Sequence, residues 1–318
     1  MRLAAAIGLL LLAAPFAADA QREKVWRIGI LEPYAAGEPV NDQIRQYLRE
    51  IGYREGRNIA IEWRHGAGET AGFPALAADL IGRKPDALVA IGEPAIRAAR
   101  EATTTIPIIA GSDDLVGEQH VASLARPGKN VTGVSILASE LNAKRLEVLT
   151  QAVPSASRIA ILWDPATGNF HLPLVQAVAR TRNVEVKVHE VRSGEDVKAA
   201  FDAARAWGAD ALNVLASPLL HALRQPIIDE AQRHRLPAIY QWEESARAGG
   251  LMSYGPVRAE VYRALCVQID RVLKGAKPAE LPIVQPTKFE FVINLRTAKA
   301  LGLTIPQSLL VQADTVIR

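Results

Sequence analysis

The chain has 318 residues, 49% apolar and 22% charged, enough for two cores of ordinary domain size. Its formal charge of +3 is small for that length and no lysine- or arginine-rich run occurs, which argues against a nucleic acid or an anionic membrane as partner. A single cysteine, Cys266, excludes an internal disulfide and sits in the apolar repeat of a helix, as a small core residue would.

Residues 1–20 read as an export signal: Arg2 starts it, an apolar run covers 3–16, and Ala18-Asp19-Ala20 offers a cleavage site. The mature chain is expected to begin near Gln21, exported to the periplasm as a soluble protein. No cysteine near residue 20 is available to carry a lipid. No later stretch approaches the ~20 apolar residues of a membrane span.

From there strands alternate with helices. Strands are predicted at 25–31, 59–63, 87–91 and 106–110, with helices at 41–51, 73–81 and 95–102 between or after them. A turn-rich segment, 124–133, leads into a strand at 134–137 and is the natural first crossing between the halves. The alternation resumes with strands at 158–162, 184–190, 211–215 and 238–240 and helices at 172–182, 199–207 and 219–234. Residues 249–256 look like a second crossing between halves, followed by a helix over 258–273. The proline-rich segment 277–286 is a third crossing, and a strand at 289–294 and a helix at 297–301 close the chain. This pattern predicts two α/β lobes with parallel sheets, joined by a hinge of several crossings. Residues 21–136 with 256–282 would form one lobe, and 137–255 with 283–318 the other.

The halves repeat each other. Arg27-Ile28-Gly29-Ile30-Leu31-Glu32-Pro33 returns as Arg158-Ile159-Ala160-Ile161-Leu162-Trp163-Asp164-Pro165. The runs at 85–94 and 106–109 return at 209–218 and 236–239, at nearly constant offset. Each copy is an apolar run ending in polar or acidic residues, as a buried parallel strand does when it delivers a loop at its carboxyl end. Ligands of open α/β sheets sit at those ends.

The candidate site is therefore the set of strand-end loops: Glu32 and Tyr34; Gly92, Glu93 and Ala95; Asp113 and Asp114; Trp163 and Asp164; Ser217; and Tyr240, Gln241 and Trp242, followed by Glu243 and Glu244. Several pair a polar residue with a following proline, which suits a helix start with free N–H groups. Glu93, Asp164 and Ser217 in such places either cap their own helices or face a ligand. The aromatics can stack on a flat apolar group or over a cation. With seven acidic residues and no arginine in these loops, the expected ligand carries an amine. Signatures of a phosphate loop, a nucleophile elbow and a histidine pair for zinc are missing, so no cofactor, metal or catalytic residue is assigned.

Val121-Ala122-Ser123-Leu124-Ala125-Arg126-Pro127-Gly128, Gly249-Gly250-Leu251-Met252-Ser253-Tyr254-Gly255 and the long run from Gln285-Pro286-Thr287-Lys288-Phe289 to Leu303-Thr304-Ile305-Pro306 resemble one bacterial family. It is that of ABC-transporter substrate-binding proteins related to the tryptophan/tyrosine-type binding proteins, and the similarity covers essentially the whole mature chain. The resemblance implies a type I periplasmic binding protein fold, a ligand in the cleft, and docking of a monomer onto an inner-membrane permease with its ATPase. The chain departs from the family inside the cleft. Gly92-Glu93-Pro94-Ala95 stands where Gly-Thr-Pro-Ala is common, Asp114-Leu115-Val116-Gly117 where Asp-Pro-Val-Gly is common, and Asp164 where asparagine is frequent. The leading reading is a non-enzymatic receptor for a small molecule, an amino acid or an amine-bearing or aromatic ligand. The competing readings are a sensor domain signalling to a membrane partner and an exported enzyme using cleft carboxylates as acid and base.

Overall fold

The computed structural model describes residues 24–37, 39–67 and 71–318, so the export signal expected at 1–20 lies outside the described residues. In the first half β1 (Trp26–Glu32), α1 (Pro39–Glu50), β2 (Ile59–His65), α2 (Phe73–Gly82), β3 (Ala87–Ile91), α3 (Glu93–Ala102), β4 (Ile108–Ser112) and β5 (Val131–Ser135) alternate. They build a five-stranded parallel sheet of order β2-β1-β3-β4-β5. β1 and β3 to β5 are buried on both faces, because helices cover the sheet above and below. At the β4–β5 contact only a glycine fits: a Cβ on Gly133 would stand 1.9 Å from the Ala110 carbonyl oxygen.

The chain then passes to a second sheet. α4 (Ala138–Ala152), β6 (Arg158–Trp163), α5 (Leu172–Thr181), β7 (Glu185–Glu190), α6 (Gly194–Trp207), β8 (Ala211–Val214), α7 (Pro218–Ala222), α8 (Arg224–Arg233), β9 (Ala238–Tyr240), α9 (Glu243–Arg247) and β10 (Met252–Pro256) follow. α10 (Arg258–Leu273) returns to pack on the first sheet against α1, β4 and β5. Residue Val284 bridges to Val134 beside β5 before β11 (Phe289–Asn294), α11 (Leu295–Leu301), α12 (Gln307–Gln312) and β12 (Thr315–Ile317) finish the second sheet. Its order is β12-β11-β10-β9-β8-β6-β7.

Four differences from the sequence reading have physical causes. The β10–β11 pair is antiparallel, since β11 enters after a crossing from the other sheet. The segment 249–256, read as a crossing, supplies β10 inside the sheet before the chain leaves it. The helix expected over 219–234 is two helices, α7 and α8, separated at Leu223. The long helix α4 escaped the sequence reading because its apolar positions are spread around it; Asn142 and Arg145 are as buried as Leu146 and Leu149.

Apolar clusters lie on each face of each sheet. One of them joins the halves: Ala216 and Trp242 pack with Ile28, Val89, Ile136 and Leu265. Cys266 is buried in that cluster, and burial pushes its thiol up to about 12, which fits an inert core residue.

Candidate functional site

The carboxyl ends of the two sheets face each other across a cavity of ≈ 560 Å³, counting what opens to solvent. One wall carries Tyr34 after β1, Ile91 and Gly92 after β3, Gly111, Ser112 and Asp113 at the end of β4, and Ile136 after β5. The other carries Ser217 and Pro218 at the start of α7 and Gln241 and Trp242 after β9. Val261, Tyr262 and Leu265 complete the lining from one face of α10. The walls touch, for a Cβ added at Gly92 would lie 3.0 Å from Pro218 Cγ. Gly92 holds φ at +83°, a conformation that glycine adopts freely, and so turns β3 directly into α3.

Two ends of this cavity differ in character. At the aromatic end Tyr34, Trp242 and Tyr262 surround the guanidinium of Arg258, whose carbon lies 5.6–5.9 Å from each ring centroid. Arg258 Nη1 donates to Glu244 Oε1 at 2.8 Å and meets His221 Nε2 at 3.0 Å. Burial and the neighbouring arginines hold His221 well below its ordinary pKa, so it accepts there as a neutral ring.

At the acidic end Asp113 lines the cavity with its side chain 14% exposed. Burial first, and then the charge of Glu93, push its carboxyl up to about 7. Glu93 itself is buried one residue behind Gly92, where His120 Nε2–H donates to it. Arg100 donates to His120 Nδ1 at 2.6 Å, which fixes that tautomer. Glu118 hydrogen-bonds Glu93, and burial with the Glu93 charge brings it to about 7 as well. On the opposite wall Ser217 donates to Asp164 Oδ2 at 2.7 Å and caps α7 by accepting from Leu220 N–H at 3.2 Å. Burial raises Asp164 too.

The cations near this end come from α4. Arg145 is fully buried and donates to the Tyr254 carbonyl at 3.0 Å and to Asn142. Burial lowers its pKa to about 9, with Asp113 acting in the opposite sense. His171 accepts from Asn142 at Nδ1 (3.1 Å), leaving Nε2 3.9 Å from Asp113 Oδ2. Burial drops that ring to about 3, so it stays neutral.

Of the residues expected from the sequence, Tyr34, Gly92, Asp113, Ser217, Gln241 and Trp242 meet around the cavity. The others do not reach its wall. Glu32 is buried beside His65 Nδ1 at 2.9 Å. Glu93 points to His120, Ala95 enters the apolar core beneath the first sheet, and Asp114 turns back to accept from Gly117 N–H at 2.9 Å. Trp163 donates to the Gly168 carbonyl at 3.0 Å, Asp164 stands behind Ser217, and Tyr240 is sunk in the core of the second sheet. Tyr240 is the last residue of β9 and packs into the core, whereas the chain bends at Gln241 and Trp242 and brings those two to the cavity. The sequence reading missed Val261, Tyr262 and Leu265, whose apolar helical spacing reads the same facing a core or a cavity. It also found no arginine near the site, whereas Arg145 and Arg258 arrive from helices. Among the described residues no group of three or more His, Cys, Asp or Glu could hold a metal, and no helix is long and apolar enough to cross a membrane.

A fold of two such lobes with a cleft between the strand ends defines the bilobal binding proteins, and the comparisons agree. Residues 36–317 match the family described as ABC transporter substrate binding protein. A tyrosine-binding protein of Clostridioides difficile (strain R20291) is 26% identical over 289 residues, covering 90% of this chain and 83% of that protein. The crystal structure of an ABC domain in complex with L-Trp from Streptococcus pneumonia superposes with a TM-score of 0.84 at 26% identity, over 92% of this chain and 100% of that one. A conserved domain protein of Vibrio cholerae gives 0.85 at 26% identity over the same shares. The chain belongs to the ABC transporter substrate-binding protein family, and its fold is that of the type I periplasmic binding proteins.

Proposed function

We propose that this protein is an exported, monomeric solute receptor that closes around one small molecule and delivers it to a membrane permease driven by an ATPase. The observation that carries the reading is the cavity. It is shared by both sheets and lined by three aromatic rings, several aliphatic side chains and a small set of polar groups, Ser112, Asp113, Ser217 and Gln241. Such a lining suits a flat apolar body with one polar head. The relatives whose names mention tyrosine and L-Trp support a ligand of aromatic amino acid size.

Closure has a physical basis in the contacts between the halves. Pro218 against Gly92 and Trp242 within the first sheet's core bury apolar surface only when the walls meet. A ligand that touches both walls shifts the open–closed equilibrium by its differential affinity for the closed form. The chain passes between the sheets three times, after Ser135, after Pro256 and after Val284, so bending is confined to short strand-end segments. The Ser217 hydroxyl, which donates to Asp164, also accepts from Leu220 N–H as the cap of α7, and we read that pair as structural instead of as an activated nucleophile.

Titrating the purified protein with L-Trp, L-Tyr and related aromatic amines, followed by calorimetry and melting temperature, tests the reading. One-site binding with a melting temperature that climbs with ligand concentration is expected. Chemical turnover of a bound compound, or no binding by any of them, would overturn it.

A further inference from the structure

Beside each of the two helix starts that open on the cavity lies a buried carboxyl of the protein. A helix start in this fold is the natural seat for an anionic ligand group, because its first N–H groups are free and its dipole end is positive. At α3 the first residue is Glu93, buried and bonded to His120, with Glu118 hydrogen-bonded to it. At α7 the buried Asp164 holds the capping Ser217 at 2.7 Å. Asp113 stands between them on the cavity wall, and its carboxylate accepts no hydrogen bond.

The neighbouring cations do not offset this. Arg145 is the one arginine or lysine among the described residues that is fully buried, and its Nη atoms are engaged by Tyr254 and Asn142. His171, fully buried with Nε2 toward Asp113 at 3.9 Å and no hydrogen-bond partner, is neutral. Arg97 lies 3.9 Å from Glu93 but is half exposed. At the other end Arg258 is committed to Glu244 and His221 and stands behind the rings. Among the described residues no arginine, lysine or histidine lines the cavity. An amine placed against Asp113 would find a carboxylate without a partner, while a carboxylate on the same ligand would lie over the buried carboxyls of Glu93 and Asp164 behind the cavity wall. Burying a like charge in such a place costs several-fold to many-fold in affinity.

We infer that the ligand is an aromatic amine without a carboxylate, its ring between Tyr34, Trp242 and Tyr262 and its ammonium on Asp113, so that this chain discriminates against the amino acid of the same side chain. The inference rests on the receptor reading above and narrows it. The carboxyls of Asp113 and Glu118, held up to about 7 in the empty cavity, would release protons when the cation binds.

The test is a matched set measured by calorimetry at pH 8: tryptamine and tyramine, L-Trp and L-Tyr, and indole-3-acetate. Each amine is expected to bind at least about tenfold tighter than its amino acid, a difference of about 1.4 kcal/mol, and the acid not to bind. Amino acids binding as tightly as the amines, or any binding of indole-3-acetate, would overturn the inference while leaving a receptor intact. Silence from all five compounds would overturn both readings. Asp113→Asn should cost the amines at least about thirtyfold while the melting temperature stays within a few degrees. Glu93→Gln removes charge at α3 with little change of shape, and should narrow the amine preference by about threefold or more. An unchanged ratio in Glu93→Gln together with unchanged amine affinity in Asp113→Asn would remove the electrostatic basis of the proposal.

Discussion

The two ends of the cavity treat buried charge in opposite ways. At the aromatic end Arg258 has a carboxylate partner in Glu244 at 2.8 Å, a neutral acceptor in His221 and rings on three sides. Its charge is matched, and the surrounding rings present apolar faces to the cavity. At the acidic end Glu93, Asp113, Glu118 and Asp164 crowd together, and burial with mutual repulsion raises Asp113 and Glu118 to about 7. A matched buried charge organises the wall; an unmatched one is costly in the empty protein and becomes favourable when a ligand supplies the counter-charge.

The strongest way to break this contrast is at the rings. Trp242→Ala removes a ring that lines the cavity and packs into the core joining the halves. It should weaken ligand binding by about 2–4 kcal/mol, measured calorimetrically, as loss of a central aromatic anchor does. Affinity within twofold of the original would show that the ligand body sits elsewhere.

Glu244→Gln sharpens the contrast from the other side. Leaving Arg258 buried with a neutral partner should lower stability by about 1–3 kcal/mol, read as a fall in melting temperature of the ligand-free protein. No fall would mean that the rings alone sustain the guanidinium.

A smaller effect is expected from pH. Asp113, Glu118 and Glu290 titrate near 7 in the folded chain, whereas unfolded carboxyls titrate near ~4. The folded state therefore binds more protons in that interval, and ligand-free stability should rise as pH falls from 8 to about 6.5, by about 1 kcal/mol. Below that the slope should flatten or reverse. His65, His171, His189 and His221 are held below their ordinary pKa, so the unfolded chain takes up the extra protons there. Melting curves across this range test the sign, and Asp113→Asn should reduce the slope above pH 6.5. A slope of opposite sign between 8 and 6.5 would contradict the crowding of carboxylates.

Much of the architecture could be read in the chain because buried parallel strands announce themselves. Runs such as Ala87–Ile91 are apolar on both faces, β8 departs from this only at Asn213, and polar residues follow their ends. Gly92, Asp113, Ser217 and Trp242 were legible for that reason: position after a strand end brings them to the cavity. Their neighbours Glu93, Asp114 and Tyr240 occupy the same loops yet turn away, a choice of one residue that loop sequence does not carry. α4 remained hidden because Asn142 and Arg145 are buried as deeply as its leucines.

The sequence by itself determined the duplicated α/β plan, the strand ends as the place of recognition and the acidic character of the loops, since local pattern and composition specify these. Only the tertiary structure decided which acids face the cavity and which are paired. His120 lies far from Glu93 in the chain, Arg258 far from Tyr34, and Tyr262 sits on a helix that the sequence treats as ordinary core. Partnership of buried charge is a matter of distance and desolvation, and distance is set by how the two sheets and α10 come together.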